Sequence, residues 1–368
     1  MENKIENIKN GLENLKNNNY KIYYFVPDTK GNAIASVANT YEHVKILREN
    51  GIDACLLHEK NDYLLYGDDK GSGIADWLGE EYAKLPHYSV EKNEVNVGLG
   101  DFVVIPEIFS NVMESTINFP AKRIVFAQSY DYILEILDFG KSWKDYGITD
   151  VITTSGSLSN QIKGLFGELN IHTIPCAISD KFTKSDIPKK PYIAIHTRGG
   201  EKTSRIIKSF FLKYPQFRWI TFRDMKSMSV QEFADELKDC CLAVWVDDIS
   251  SFGTFPLECF KTGVPVIGVV PNLVPEWLKG EGDTIKENGI WTNNVLQIPD
   301  LINIAFKSWM EDNIPESIYK NMEDSVKLYT PNLMNTVLVS YYKNLIKERQ
   351  AELSSILINE EKQQPVVS

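Results

Sequence analysis

No run of this chain approaches the ~20 uninterrupted apolar residues of a membrane-spanning helix, so no transmembrane segment is expected. Histidine is scarce, five in 368 residues, and no two stand at the helical spacing of a metal-ligand pair. The five cysteines (Cys55, Cys176, Cys240, Cys241, Cys259) are odd in number, scattered and without metal-site spacing, which argues against a disulfide framework and for reduced thiols in a cytoplasm. Basic residues are outnumbered: 39 Lys and Arg against 50 Asp and Glu leave a net charge of −11, which disfavours broad binding to nucleic acid or an anionic membrane. That average still permits a local basic cleft, since Lys189, Lys190, Arg198 and Lys202 stand close together, and peripheral membrane contact stays open. The opening MENKIENIKNGLENLKNNN lacks the apolar core of a secretory signal. It reads as a short amphipathic helix, with Ile5, Ile8, Leu12 and Leu15 on one face. Internal repeats and low-complexity blocks are also missing.

What is present is a globular composition, 43% apolar and 24% charged, on a chain too long for one ordinary core and suited to two domains. In the first half an apolar strand at 22–26 is followed by the loop PDTKGN. A helical pattern then runs through Val37, Tyr41, Val44 and Leu47 to Gly51, and a strand follows at 54–57. This is a βαβ unit and implies a parallel sheet. Strands at 102–105, 123–127 and 151–153 continue the alternation, and residues 62–73 read as a mobile loop. Residues 174–191 carry three prolines without periodicity and mark an exposed connection. A second α/β series begins there, with strands at 192–195, 218–222, 241–246 and 265–269. Two open parallel sheets bind ligands at the carboxyl ends of their strands, so the expected site is the cleft between the halves.

The densest signal is at 247–268, DDISSFGTFPLECFKTGVPVIG. An apolar strand ends at Val246, Gly253 permits a turn that other residues resist, and Pro256 suits the first turn of a helix that Leu257 and Phe260 pack down. The helix N-terminus, beginning near Thr254, offers unpaired N–H groups and a positive dipole end to a pyrophosphate, and Glu258 a carboxylate to ribose hydroxyls. By itself this pattern serves equally well as a structural turn. In HTRGGEK, Arg198 and Lys202 flank Gly199 and Gly200 just past a strand, which suits a diphosphate but also a solvated turn.

The string FG-x-x-PLE followed by TGVPVIG resembles the nucleotide-sugar-binding signature of the retaining family-4 group of GT-B glycosyltransferases, E-G-F-G-x-x-P-L-E-A-x-x-x-G-x-P-V-I. Phe252, Gly253, Pro256, Leu257, Glu258, Gly263, Pro265, Val266 and Ile267 match in register. The first of the family's two glutamates is replaced by Ser250. Pro175, Ile178, Asp180 and Phe182 match an interdomain segment of the family, and Glu276 with ENGIW its loop after the donor site, where Trp277 and Trp291 are either core or stacking surfaces.

The resemblance implies a GT-B fold: two Rossmann-like, doubly wound α/β domains facing a central cleft. An acceptor domain would span 1–181, a donor domain 182–333, a helix crossing back to the first domain 334–357 and a disordered tail 358–368. It implies a nucleotide-sugar substrate, UDP- or GDP-linked, no other cofactor, no metal, and transfer with retention to a glycan, lipid-linked or other hydroxyl acceptor. Arg198 and Lys202 would hold the diphosphate, Glu258 the ribose, and Gln128, in the place of a family histidine, would face the sugar with Ser250. Phe252, Gly253, Thr254 and Leu257 would complete the donor loop, and Gly31 and Asn32 the turn after the first strand. Glutamine hydrogen-bonds a sugar but cannot shuttle a proton, so the two departures from the family pattern keep open a sugar-nucleotide-binding protein with reduced catalysis. The fold also allows a nucleotide-sugar epimerase, which no residue of the sequence singles out.

Overall fold

The computed structural model describes residues 2–27, 29, 33–60, 76–92, 95–226 and 228–362, with residues 2 and 3 in backbone only. Gly31, Asn32 and the loop expected at 62–73 lie outside the described residues. The chain opens with α1 (Glu2–Lys16), β1 (Ile22–Phe25), α2 (Ala35–Glu49), β2 (Ala54–His58), α3 (Glu80–Ala83) and β3 (His87–Ser89). It continues with β4 (Phe102–Pro106), α4 (Ser110–Ser115), β5 (Lys122–Ala127), α5 (Tyr130–Ile136), β6 (Asp150–Thr153), α6 (Gly156–Phe166) and β7 (Asn170–Thr173). The second series is β8 (Lys190–Thr197), α7 (Gly200–Lys213), β9 (Thr221–Asp224), α8 (Val230–Asp239), β10 (Cys240–Val246), α9 (Thr254–Lys261), β11 (Val266–Val269) and β12 (Ile290–Thr292). Three helices close the chain: α10 (Ile298–Met310), α11 (Glu316–Val326) and α12 (Pro331–Lys362).

The strands form a seven-stranded sheet, β3-β2-β1-β4-β5-β6-β7, and a five-stranded sheet, β12-β11-β10-β8-β9, and the neighbours pair in parallel. Parallel strands covered by helices on both faces need apolar residues at every position rather than alternate ones. In β1, Ile22 and Tyr24 enter the core on one face, and Tyr23 and Phe25 the core on the other. All four are buried.

Three strands escape the sequence pattern. β3, β7 and β12 are three or four residues long and sit at sheet edges, and β7 buries none of its residues fully, so no apolar run announces them. The strand expected at 218–222 is Thr221–Asp224, because Pro215 opens a short 3-10 turn first. The expected amphipathic N-terminal helix is α1, with Ile5, Ile8, Leu12 and Leu15 buried.

The chain passes from the first sheet to the second through residues 174–189 and returns just before α12. The two passes are pinned together where the Ile178 N–H donates to the Tyr329 carbonyl at 2.9 Å. α12 then crosses back and packs beside α1 and α2, placing Met334, Leu338, Tyr342 and Leu345 in the first sheet's core. It runs beyond the expected 334–357. Residues 358–362, expected in a disordered tail, continue the helix, where Glu360 and Glu361 pair with Lys4 and Lys9 of α1; residues 363–368 lie outside the described residues.

Candidate functional site

Strand order reverses direction between β1 and β4 in one sheet and between β8 and β10 in the other, and each reversal leaves a crevice at the carboxyl ends of those strands. In the second sheet Thr197 of β8 pairs in register with Val246 of β10. The residues that follow, Arg198 and Asp247, therefore emerge side by side. The Arg198 guanidinium is bound in a fork: Nε donates to Asp247 Oδ1 at 2.7 Å and Nη2 to Oδ2 at 3.2 Å. One turn into α7, Lys202 Nζ donates to Asp248 Oδ1 at 2.8 Å and holds that carboxyl below its ordinary range. Asp247 is only 8% exposed, and together with Asp248 it supplies counter-ions to the two cations expected at the diphosphate.

Gly199 caps α7 with φ +90°, and nothing stands within 4 Å of where its Cβ would be. The start of this helix thus faces open space. Lys226, two residues past β9, brings its Nζ to 4.0 Å from the place of a Gly200 Cβ. Sequence reading missed this third cation; its one signal was a lysine just beyond a strand end.

On the same side, after β10, Gly253 caps α9 at φ +72° with no side-chain cap, leaving the first N–H groups of that helix for a ligand. A Cβ at Gly253 would stand 2.7 and 2.8 Å from the Trp245 ring, so glycine is required by space as well as by torsion. Thr254 starts the helix and bonds the Glu258 side chain. Glu258 keeps part of its surface exposed yet is hemmed in by protein; burial pushes its carboxyl up to about 8, an effect the Thr254 bond partly offsets. Ser250 is half-buried in the loop before Gly253.

Two expected donor contacts are side chains of the core instead. Phe252 packs edge-on against Tyr329 at 5.1 Å and Leu257 is fully buried, because both face the sheet beneath the turn. Trp277 is 2% exposed, donates Nε1 to the Phe252 carbonyl at 2.6 Å, and packs with Trp245 and Trp291 into an aromatic cluster under Gly253. The core alternative holds for it.

The first sheet provides the opposite wall. Gln128 follows β5, donates Nε2 to the Ser36 carbonyl and accepts on Oε1 from Asn39 Nδ2, both at 3.1 Å. Beneath it lies Glu107, a residue the sequence did not single out, 3% exposed at the end of β4. Four bonds span the crevice: the Tyr130 N–H to Ser251 Oγ at 2.7 Å, Arg198 Nη1 to the Tyr132 hydroxyl at 3.0 Å, Asn272 Nδ2 to Asp131 Oδ1 at 3.2 Å, and the Ser157 N–H at the start of α6 to Glu276 Oε2 at 2.7 Å. The structure therefore gathers Arg198, Lys202, Ser250, Gly253, Thr254 and Glu258 along one wall and brings Gln128 to the other.

No protein-family model and no curated protein matches the chain. Solved structures match by shape. Sucrose-phosphate synthase from Thermosynechococcus elongatus aligns over 89% of this chain and 100% of its own, at 11% identity and TM-score 0.61. The pneumococcal O-GlcNAc transferase GtfA, in complex with UDP and GlcNAc, aligns over 90% of this chain and 99% of its own, at 10% identity and TM-score 0.62. A Staphylococcus aureus TarM mutant in complex with UDP, alpha-GlcNAc-glycerol and fondaparinux gives the same coverages, at 10% identity and TM-score 0.60. The fold is GT-B. In this GT-B chain the crevice faces two parallel sheets, and α12 is the helix that returns to the first of them. Likeness at this identity is one of fold; activity has to be argued from the site.

Proposed function

We propose that this chain is a glycosyltransferase moving a sugar from a nucleoside diphosphate to an acceptor hydroxyl. The observation that carries the proposal is the meeting, at the second sheet's crevice, of Arg198, Lys202 and Lys226 with the uncapped N-termini of α7 and α9. Fixed donors at that place stabilise negative charge as it builds on a leaving diphosphate. The bound UDP in GtfA and TarM supports the same ligand class here.

Arg198 would exchange part of its fork on Asp247 for a phosphate oxygen, Lys202 would leave Asp248 for another, and Glu258 would accept from the ribose hydroxyls. Gln128 and Ser250 would orient the sugar. Neither side chain moves a proton, so the leaving phosphate itself takes the proton of the acceptor hydroxyl. Retention of anomeric configuration, action without a metal, and donor binding through the 182–333 portion belong to the proposal by resemblance to the family-4 signature. The acceptor is a hydroxyl of unassigned class.

The test is a panel of UDP-, GDP-, TDP- and CMP-sugars, scored for thermal stabilisation and for released nucleotide. Stabilisation with release from one donor is the expected result. Arg198→Ala should lower kcat/KM for that donor roughly 10²–10³-fold, and intact turnover at saturating donor would refute the phosphate assignment.

A second reading, a donor-binding protein without efficient turnover, is favoured by one observation: Arg198 already spends three N–H groups on Asp247 and Tyr132. Stabilisation by a donor with no release across the panel would select it.

A further inference from the structure

β4 and β5 pair in register from Phe102 with Lys122 to Pro106 with Phe126, and the Glu107 N–H donates to the Phe126 carbonyl at 3.3 Å. Glu107 thus stands one residue past the end of β4, level with the end of β5. Its side chain turns over that end. One oxygen, Oε1, accepts from two successive backbone groups, the Gln128 N–H at 3.1 Å and the Ser129 N–H at 2.7 Å. Those groups leave the sheet at its carboxyl edge, and Ser129 caps α5 without a side-chain bond of its own. The same carboxylate therefore fixes the direction in which α5 leaves.

What α5 does next makes that direction matter. Its first three residues reach the other wall of the crevice through Tyr130 to Ser251, Asp131 to Asn272 and Tyr132 to Arg198. A tilt of the Gln128–Ser129 turn would move the Gln128 amide off Ser36 and Asn39 and carry Tyr132 away from the guanidinium. The carboxyl that holds the turn is raised by burial and pulled the other way by three backbone bonds, and stands at about 7.

We infer that Glu107 is a positioning residue of the transfer reaction, holding the Gln128–Ser129 turn and through it the Tyr130 and Tyr132 bridges in the geometry that closes the crevice on the donor. The inference rests on the glycosyltransferase reading for its kinetic half and on geometry alone for its structural half.

Two variants, Glu107→Ala and Glu107→Gln, test it by steady-state kinetics with the donor found in the panel, together with amide hydrogen exchange over residues 128–132. Glu107→Ala should lower kcat about 10²-fold, as displacement of a positioning group by an ångström does, while donor KM stays within roughly threefold. Amide exchange at Gln128 and Ser129 should accelerate. Glu107→Gln offers an amide oxygen to the same two N–H groups and should restore most of both kcat and protection.

Were Glu107→Gln to lose as much turnover as Glu107→Ala while keeping its amides protected, the carboxyl would be moving a proton itself and the positioning role would be wrong. Unchanged exchange and kcat in Glu107→Ala would also overturn it. Should Glu107→Ala fail to fold, Glu107→Asp, one methylene shorter, is expected to lose protection at one of the two amides, and wild-type exchange and kcat in that variant would sink the idea. If the wild-type protein turns over no donor, the glycosyltransferase reading fails by itself. The exchange result then still decides whether Glu107 holds the turn.

Discussion

Gly253 joins two demands that no other residue meets together. Its φ of +72° lies in the left-handed region, and a Cβ there would press on Trp245 at 2.7 Å, inside the aromatic cluster with Trp277 and Trp291. Gly253→Ala should cost at least about 1–3 kcal/mol from torsion alone, with the clash added. A urea titration would show it as a lower midpoint at unchanged slope, and a wild-type midpoint would mean that the loop re-forms without strain. Glu258 carries a pH dependence of definite sign. Its carboxyl is raised from 4.5 to about 8 by burial, so its contribution to stability is complete below about 4.5 and is lost as pH rises through 8. Glu258→Gln, neutral throughout, should flatten the fall in melting temperature over that window relative to wild type, and an unchanged fall would show the carboxyl ionising freely. Glu107, raised to about 7, slopes the same way in both proteins and cancels from the comparison.

Among the elements, α12 has the largest structural task. Its apolar residues close one core of the first sheet, but its angle is set by a buried cation. Arg349, 7% exposed, donates Nε to the Leu99 carbonyl at 3.1 Å and Nη2 to the Pro120 carbonyl at 2.9 Å, gripping the turns that lead into β4 and β5. A third nitrogen, Nη1, reaches Glu352 at 2.9 Å along the helix. Arg349→Met keeps the stem's packing and leaves both carbonyls unpaired, which should cost about 3–6 kcal/mol for two bonds to a charged donor. Thermal unfolding of that variant would check it, and a shift under one degree would mean that water replaces the guanidinium. The shorter α5 works by contrast through its ends. Seven residues are too few to be stable alone, and it is held by Glu107 beneath and by the crevice bridges beyond.

At the scale of the whole molecule, the two sheets meet through polar bonds rather than a shared core. The four cores divide two to each sheet, and apolar crossing contacts among the described residues are few: Leu273 joins one core of the first sheet, and Ala177 and Val230 pack beside the other. An interface of hydrogen bonds, with paired connections at Ile178 and Tyr329, suits relative motion of the two halves. Motion of the halves would break the Arg198 Nη1 bond to Tyr132, whereas the fork on Asp247 lies within the second sheet and would travel with it. No helix among the described residues is long and apolar enough to cross a membrane.

The parallel α/β alternation, the Gly253 turn and the cations after β8 were legible from the residues alone, because strands buried on both faces are apolar throughout and a turn at positive φ calls for glycine. The edge strands β3, β7 and β12 were not, since three or four residues beside a formed sheet need no apolar run of their own. Nor could sequence show that Asp247 and Asp248 neutralise Arg198 and Lys202. That follows from the adjacency of β8 and β10, whose ends lie 49 residues apart in the chain and side by side in the sheet. Phe252 and Leu257 stand inside the matching motif, yet only the tertiary fold decides that they face the core. Lys226 and Glu107 carry no motif at all. Local patterning determines which elements form and where the turns fall; which side chains meet across a crevice depends on strand order, which the chain settles only by burying both faces of each sheet at once.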